Sequence, residues 1–113
     1  MHETALCKGI VDAVREQAKT HGFARATVVR LSIGALSHVE PEALLFAFEA
    51  AAMGSPAEGA TLEIERPPGQ AFCIHCEVQV KISQRFDPCP QCGGHDLVVT
   101  GGEEMRIKEL EVE

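Results

Sequence analysis

The chain has no tryptophan and no tyrosine, and it is short of positive charge. Its 17 acidic residues outnumber its 10 Lys and Arg residues, which gives the 113-residue chain a formal net charge of −7. Non-specific affinity for nucleic acids comes chiefly from clustered Lys and Arg, and single strands also need aromatic side chains for stacking. We therefore expect no nucleic-acid partner, and the acidic balance favours a protein partner or a metal ion.

Long apolar runs are also missing. The most apolar stretch, residues 43–53, is interrupted by Glu49 and is too short to cross a bilayer. The opening residues, MHETALCKG, lack the basic start and the apolar core of a signal peptide. We therefore expect a cytoplasmic protein that does not associate with membranes.

Cysteine is the residue type that the chain uses in a pattern. Two CxxC pairs, Cys73 with Cys76 and Cys89 with Cys92, are separated by twelve residues. This spacing lets each turn aim two sulfurs at one tetrahedral ion, so the four thiolates predict a structural zinc site. A thiol redox protein that uses CIHC or CPQC is the alternative. The matched pairs and the lack of a thioredoxin-like βαβ context speak against it.

The two CxxC pairs differ in the residues around them. In the second pair Pro90 stiffens the turn, and Gly93 permits the positive φ that points backbone amides at the sulfurs. The first pair reads CIHCE and lacks that glycine. His75 and His95 lie close by in sequence and can in principle replace a thiolate. The simpler interpretation is that both are exposed loop residues beside a closed four-thiolate site.

The rest of the sequence alternates between helix and strand patterns. The pattern predicts a helix over 4–21, strands over 25–33 and 60–65, a second helix from Pro41, and an extended segment over 105–112. The simplest fold returns the last strand to the earlier two. We therefore predict an α+β protein, in which a three-stranded sheet with two helices forms the main domain and a small zinc-ribbon domain is inserted.

The domain boundaries follow from Pro67-Pro68-Gly69, which breaks the chain before the cysteine segment. We assign residues 1–69 with 100–113 to the first domain and 70–99 to the zinc ribbon. A ribbon this short buries little apolar area, so we expect the metal to provide most of its folding free energy.

A second metal site is suggested by the first three residues. The amine of Met1, the amide and imidazole of His2, and the carboxylate of Glu3 all lie directly before a helix. The nitrogens can close adjacent chelate rings around a square-planar ion such as Ni(II) or Cu(II). Amides at a helix start have no helical partner, so their deprotonation breaks no helical hydrogen bond. The alternative is a solvated His2 beside a carboxylate that favours the helix dipole.

Several segments together resemble the HypA/HybF family of hydrogenase maturation nickel metallochaperones. The resemblance covers almost the whole chain, in order and with compatible spacing. It rests on MHE at the start, IGALS over 33–37, VEPEAL over 39–44, FAFE over 46–49, EGA over 58–60, LEI over 62–64 and the two CxxC pairs.

The resemblance implies a non-catalytic metal carrier with two metal ions. Ni(II) is a transient cargo that binds the Met1 amine and His2, with Glu3 as their immediate neighbour, and Zn(II) is structural. The four zinc ligands are Cys73, Cys76, Cys89 and Cys92. Members of the family work in the cytoplasm with a HypB-type GTPase, and they serve the [NiFe]-hydrogenase large subunit or its maturation complex. Some also serve urease.

Three further residues lie where they can approach the nickel site. His38 and Glu40 precede the second helix, and Cys7 follows Glu3 by one helical turn. Surface positions explain the first two equally simply, and a lone cysteine at helical spacing is more often a small packing residue. We therefore leave all three out of the predicted site.

Overall fold

The computed structural model describes the backbone of residues 2–113 and the side chains of residues 3–113. It contains two helices and six strands. They are α1 (His2–His21), β1 (Ala26–Ile33), α2 (Pro41–Ala51), β2 (Thr61–Glu65), β3 (Gly69–Cys73), β4 (Val78–Ile82), β5 (Leu97–Gly101) and β6 (Met105–Val112). The predicted α+β class, with two helices, a three-stranded sheet and a small cysteine ribbon, is confirmed.

The first sheet has the strand order β2-β1-β6, so the last strand does return beside the first. Hydrogen bonds at both ends show that β1 and β6 are antiparallel. The amide of Gly34 donates to the carbonyl of Glu104 at 2.9 Å, and the amide of Glu113 donates to the carbonyl of Arg25 at 3.0 Å. Both ends of the C-terminal strand are thereby tied to the central strand.

The helices lie beside the two edge strands. One groove is lined by α1 and β6, and another is lined by α2 and β2. The strand between them buries Val29, Leu31 and Ile33 completely. Cys7 of α1 is also fully buried and its Sγ donates to the carbonyl of Leu44 in α2 at 3.4 Å, so it is a packing residue. Burial, and then the charge of Glu3, raise the pKa of this thiol.

The other face of the first sheet carries a charge cluster centred on Arg30 of β1. The guanidinium of Arg30 contacts Glu63 of β2 at 2.8 Å, Glu109 of β6 at 3.5 Å, and Glu111 of β6 through a further short ion pair. Hydrogen bonding, first to Glu111 and then to Glu63, raises the pKa of Arg30. One cation therefore bridges all three strands on the side that faces water.

The second sheet has the strand order β4-β3-β5, and both pairings are antiparallel. The chain divides into two compact units, and all the residues of this sheet belong to the second. The first unit comprises the chain up to Leu31, Val39–Ile64 and Ile107–Glu113, and the second comprises Ser32–His38 and Glu65–Arg106. The second unit contains the segment 70–99 and extends beyond it, so a ribbon domain bounded at 70 and 99 stays a prediction.

No helix within residues 2–113 is both long enough and apolar enough to cross a membrane.

Candidate metal sites

The four cysteines of the CxxC pairs meet at one point in the second unit. Cys73 ends β3 and Cys76 lies in the turn that follows it, whereas Cys89 and Cys92 lie in the segment before β5. Their four sulfurs all lie within 4.8 Å of one another, and those of Cys73 and Cys92 are 3.8 Å apart. Among residues 3–113 this is the one group of three or more metal-ligating side chains so arranged.

The spacing of the sulfurs fits a tetrahedral zinc ion. A tetrahedron with Zn–S bonds of about 2.3 Å has S···S edges of roughly 3.8 Å. A disulfide would instead place two sulfurs about 2.05 Å apart, and all the cysteines here are free thiols. The four-cysteine cluster therefore has the geometry of a closed four-thiolate metal site.

Apolar packing holds the cluster from one side. Cys73 and Cys89 are buried, Cys76 is half-buried and Cys92 is exposed. The apolar residues that form a core with the two buried cysteines come from both strands of the β3–β4 hairpin and from the chain before it. They are Leu36, Ala71, Val80 and Ile82. The β3–β4 hairpin and Leu36 therefore shield Cys73 and Cys89 from solvent, while Cys92 stays accessible.

Backbone amides point at three of the sulfurs. The amide of Cys76 donates to the Sγ of Cys73, that of Gln91 to the Sγ of Cys89, and that of Gly94 to the Sγ of Cys92, each at 3.4 Å. Amide donors stabilise a thiolate relative to a thiol, and such outer contacts orient metal ligands. Gly93 has φ +74°, which confirms the predicted positive φ at this position.

The acidities of the thiols show why the cluster suits a cation. Hydrogen bonds from the backbone of Cys92, which has the largest effect, and of Gln91 lower the pKa of Cys89 to about 7. Desolvation and the three neighbouring sulfurs raise the pKa of Cys76 to about 12. Four thiolates this close repel one another, so they can ionise together only around a positive ion. A divalent ion supplies that charge.

Neither neighbouring histidine belongs to the cluster. His75 and His95 are both exposed, and the group of side chains close enough to share one metal ion consists of the four cysteines. This arrangement agrees with the interpretation of both histidines as loop residues.

The predicted nickel site falls at the edge of what the structure describes. Met1 and the side chain of His2 lie outside the described residues. Glu3 is described, and its Oε2 accepts a hydrogen bond from the amide of Glu40 at 3.4 Å. Glu40 is the N-cap residue of α2 and makes no side-chain capping bond. Glu40 thus contacts Glu3 through its backbone amide. His38 is exposed.

The fold and the cluster define a class, a small α+β protein with a four-cysteine metal ribbon. The profile of the family described as HypA, hydrogenase/urease nickel incorporation metallochaperone, matches residues 1–112. The chain is 58% identical to hydrogenase maturation factor HypA 2 of Bradyrhizobium diazoefficiens and 53% identical to hydrogenase maturation factor HypA of Cereibacter sphaeroides. Both alignments cover all of each chain. The chain belongs to the HypA family.

Solved structures share the fold. The solution structure of the Ni metallochaperone HypA from Helicobacter pylori superposes with a TM-score of 0.70 at 24% identity, over 97% of this chain and 96% of that one. A second solution structure of a HypA protein gives a TM-score of 0.73 at 25% identity, over 100% and 97% of the two chains. The family match and the curated relatives show that the protein is a nickel metallochaperone of hydrogenase maturation and not an enzyme. Its four-cysteine site fits zinc.

Proposed function

We propose that the chain binds Ni(II) at its N-terminus with the amine of Met1 and with the amide and imidazole nitrogens of His2. Glu3 is their immediate neighbour and a further ligand. The observation that carries this proposal is that α1 begins at His2. The first amides of a helix have no partner within it, so they can lose their protons to a metal without breaking the helix. Amine, amide and imidazole nitrogens suit a square-planar ion.

The contact between Glu3 and Glu40 supports a positioned carboxylate at this end of the helix. One carboxylate oxygen accepts a hydrogen bond from the amide of Glu40, which limits the rotamers of Glu3. A ligand that is already held in place loses less conformational entropy when a metal binds.

The zinc ion has a separate, permanent role in this proposal. Cys73, Cys76, Cys89 and Cys92 hold one Zn(II), which stabilises a ribbon domain over 70–99. Residues 1–69 with 100–113 form the nickel domain. The support is the sulfur geometry, since the 3.8 Å between the Sγ atoms of Cys73 and Cys92 matches one edge of four thiolates around a zinc ion, and all four sulfurs lie within 4.8 Å of one another. Nickel bound through nitrogen can then leave without disturbing the zinc.

Delivery takes place by ligand competition in the cytoplasm. A HypB-type GTPase docks with the chain, and nickel passes to the [NiFe]-hydrogenase large subunit or its maturation complex. Urease is a second possible recipient, since the family description names it together with hydrogenase. A carrier must hold its ion selectively and release it on docking, and the partner supplies the competing ligands.

The test compares untagged protein with His2→Ala, with His21→Ala as the matched control. His21 is an exposed histidine in the last turn of the same helix. Native mass spectrometry should find one nickel and one zinc in the unmodified chain and in His21→Ala, but zinc alone in His2→Ala. Nickel retained by His2→Ala would contradict the proposed site. A second arm measures nickel transfer to the GTPase, and no transfer would contradict the delivery step alone.

A further inference from the structure

Helix α2 and the turn after it expose large apolar side chains to solvent. Phe46 is 80% exposed, Met53 is 71% exposed and Leu45 is 44% exposed, although Leu44 and Phe48 of the same helix are buried. Single exposed apolar residues are common, but three large ones within nine residues form a patch. Such a patch on a chain this small indicates an interaction surface.

A groove continues this patch towards the first sheet. It has a volume of about 310 Å³ and lies between α2 and β2. Leu45, Ala60 and Leu62 line it, and Glu49 is its one charged lining residue. Because β2 is an edge of its sheet, no further strand closes this side within the described residues. We call Leu45, Phe46, Glu49, Met53 and Leu62 the α2–β2 surface.

The charge of this part of the chain has one sign. Residues 41–65 contain five glutamates and no Lys, Arg or His. Glu63 pairs with Arg30, and Glu58 accepts a hydrogen bond from the amide of Gly54. Glu42 and Glu49 are exposed on α2 beside the apolar patch. The surface therefore combines apolar anchors with negative charge.

We propose that the α2–β2 surface docks a cationic amphipathic helix of a partner protein. Leu and other apolar residues of that helix fill the groove and cover Phe46 and Met53, while its Lys or Arg residues pair with Glu42 and Glu49. An amphipathic helix in an apolar groove is a recurring mode of recognition, and complementary charge sets its orientation. A second copy of the chain is the poorer occupant, because its Glu42 and Glu49 would face the like charges of this surface, and Arg25, the cation beside Gly59, already donates to the carbonyl of Glu58.

The groove between α1 and β6 serves as an internal comparison. It is larger, about 500 Å³, but its lining mixes His21, Lys108 and Glu109 with apolar residues. Because this groove carries both basic and acidic side chains, its charge favours neither a cationic nor an anionic partner helix. Binding of a cationic helix is therefore expected at α2–β2 and not at the larger groove.

The experiment titrates the full ¹⁵N-labelled chain, loaded with zinc and free of nickel, with a two-heptad helical peptide of leucine and lysine. Amide shifts should be confined to α2, β2 and the turn between them. Shifts spread over the acidic residues of α1, shifts at the α1–β6 groove, or no binding would each overturn the proposal. Concentration-dependent shifts at α2 without peptide would show that a second copy occupies the surface, which would also overturn it.

Matched variants separate the anchors from general charge. Phe46→Ser and Glu49→Lys should each weaken peptide binding about tenfold or more, as truncation of a central anchor does. Phe86→Ser removes another aromatic residue that is 92% exposed, and Asp12→Lys makes the same charge change on α1. Both controls should stay within about threefold of the unmodified chain. Equal losses in a variant and its control would overturn the proposal. No nickel is present, so the result is independent of the proposed nickel site.

Discussion

Glu77 and Gly93 occupy corresponding positions in the two CxxC turns and adopt the same backbone conformation. Each follows the second cysteine of its pair, and their φ angles are +56° and +74°. The amide of Glu77 donates to the carbonyl of Cys73 and that of Gly93 to the carbonyl of Cys89, both at 2.8 Å. The two halves of the cysteine site are therefore built alike, although only one of them has the glycine that this conformation favours.

The first prediction concerns the turn at Gly93. A Cβ at this position meets no atom within 4 Å, so Gly93→Ala costs only backbone strain in the left-handed region. We expect a loss of about 1 kcal/mol in the free energy of unfolding of the zinc-loaded chain, measured in denaturant. Gly9→Ala is the control, since Gly9 lies within α1 with equally open space. That change should stabilise the chain by up to about 1 kcal/mol. Equal effects at both positions would contradict the argument.

The second prediction concerns the zinc ligands. Cys76→Ser removes one of four sulfurs, and we expect zinc to be lost on dialysis and the second unit to lose protection against proteolysis. Metal analysis by mass spectrometry measures the first effect. Cys7→Ala is the control, because Cys7 is buried between the helices and outside the cluster. It should retain one zinc per chain. Full zinc retention by Cys76→Ser would show that the cluster is not the site.

The third prediction concerns protons displaced by zinc. Cys76 has its pKa raised to about 12, so it is protonated in the metal-free cluster at neutral pH. Cys89 has its pKa lowered to about 7, so it gives up its proton between about pH 6 and about pH 8. Zinc binding should therefore release about one proton more at pH 6 than at pH 8. Calorimetry in buffers of different ionisation enthalpy measures this difference, and equal release at both pH values would count against it.

The fourth prediction concerns nickel release by acid. An α-amine titrates near ~7.7–8.0 and an unperturbed imidazole near ~6.5, and both must be neutral to coordinate. Acidification from about pH 7.5 to about pH 6 should therefore weaken nickel binding. Isothermal titration of the untagged chain measures it. An affinity that does not change over this interval would rule out an amine and imidazole site.

The sequence predicts most of the fold because its apolar residues recur with the spacing of a helix or alternate as in a strand over most of the predicted elements. Both helices begin within two residues of their predicted starts, β1 and β2 fall where alternation places them, and β6 coincides with the predicted extended segment 105–112. The cysteine cluster is predictable for the same reason, since CxxC spacing is a local geometric rule.

The contacts that the sequence does not reveal join residues far apart in the chain. The hydrogen bond between Glu3 and Glu40 spans 37 residues, and Arg30 pairs with Glu63 and Glu111, which are 33 and 81 residues away in the sequence. Glu77 shows a different limit, because nothing about a glutamate after CxxC signals a positive φ. The hydrogen bond to Cys73 and the shared metal geometry impose that conformation, and they exist only in the folded ribbon.

The central claim is that nickel and zinc occupy different ligands in one chain. X-ray absorption at the nickel edge and at the zinc edge, on untagged protein that carries one equivalent of each metal, tests it most directly. We predict nitrogen and oxygen neighbours around nickel, and four sulfurs at about 2.3 Å around zinc. Sulfur in the first coordination sphere of nickel, with nitrogen or oxygen around zinc, would contradict the account.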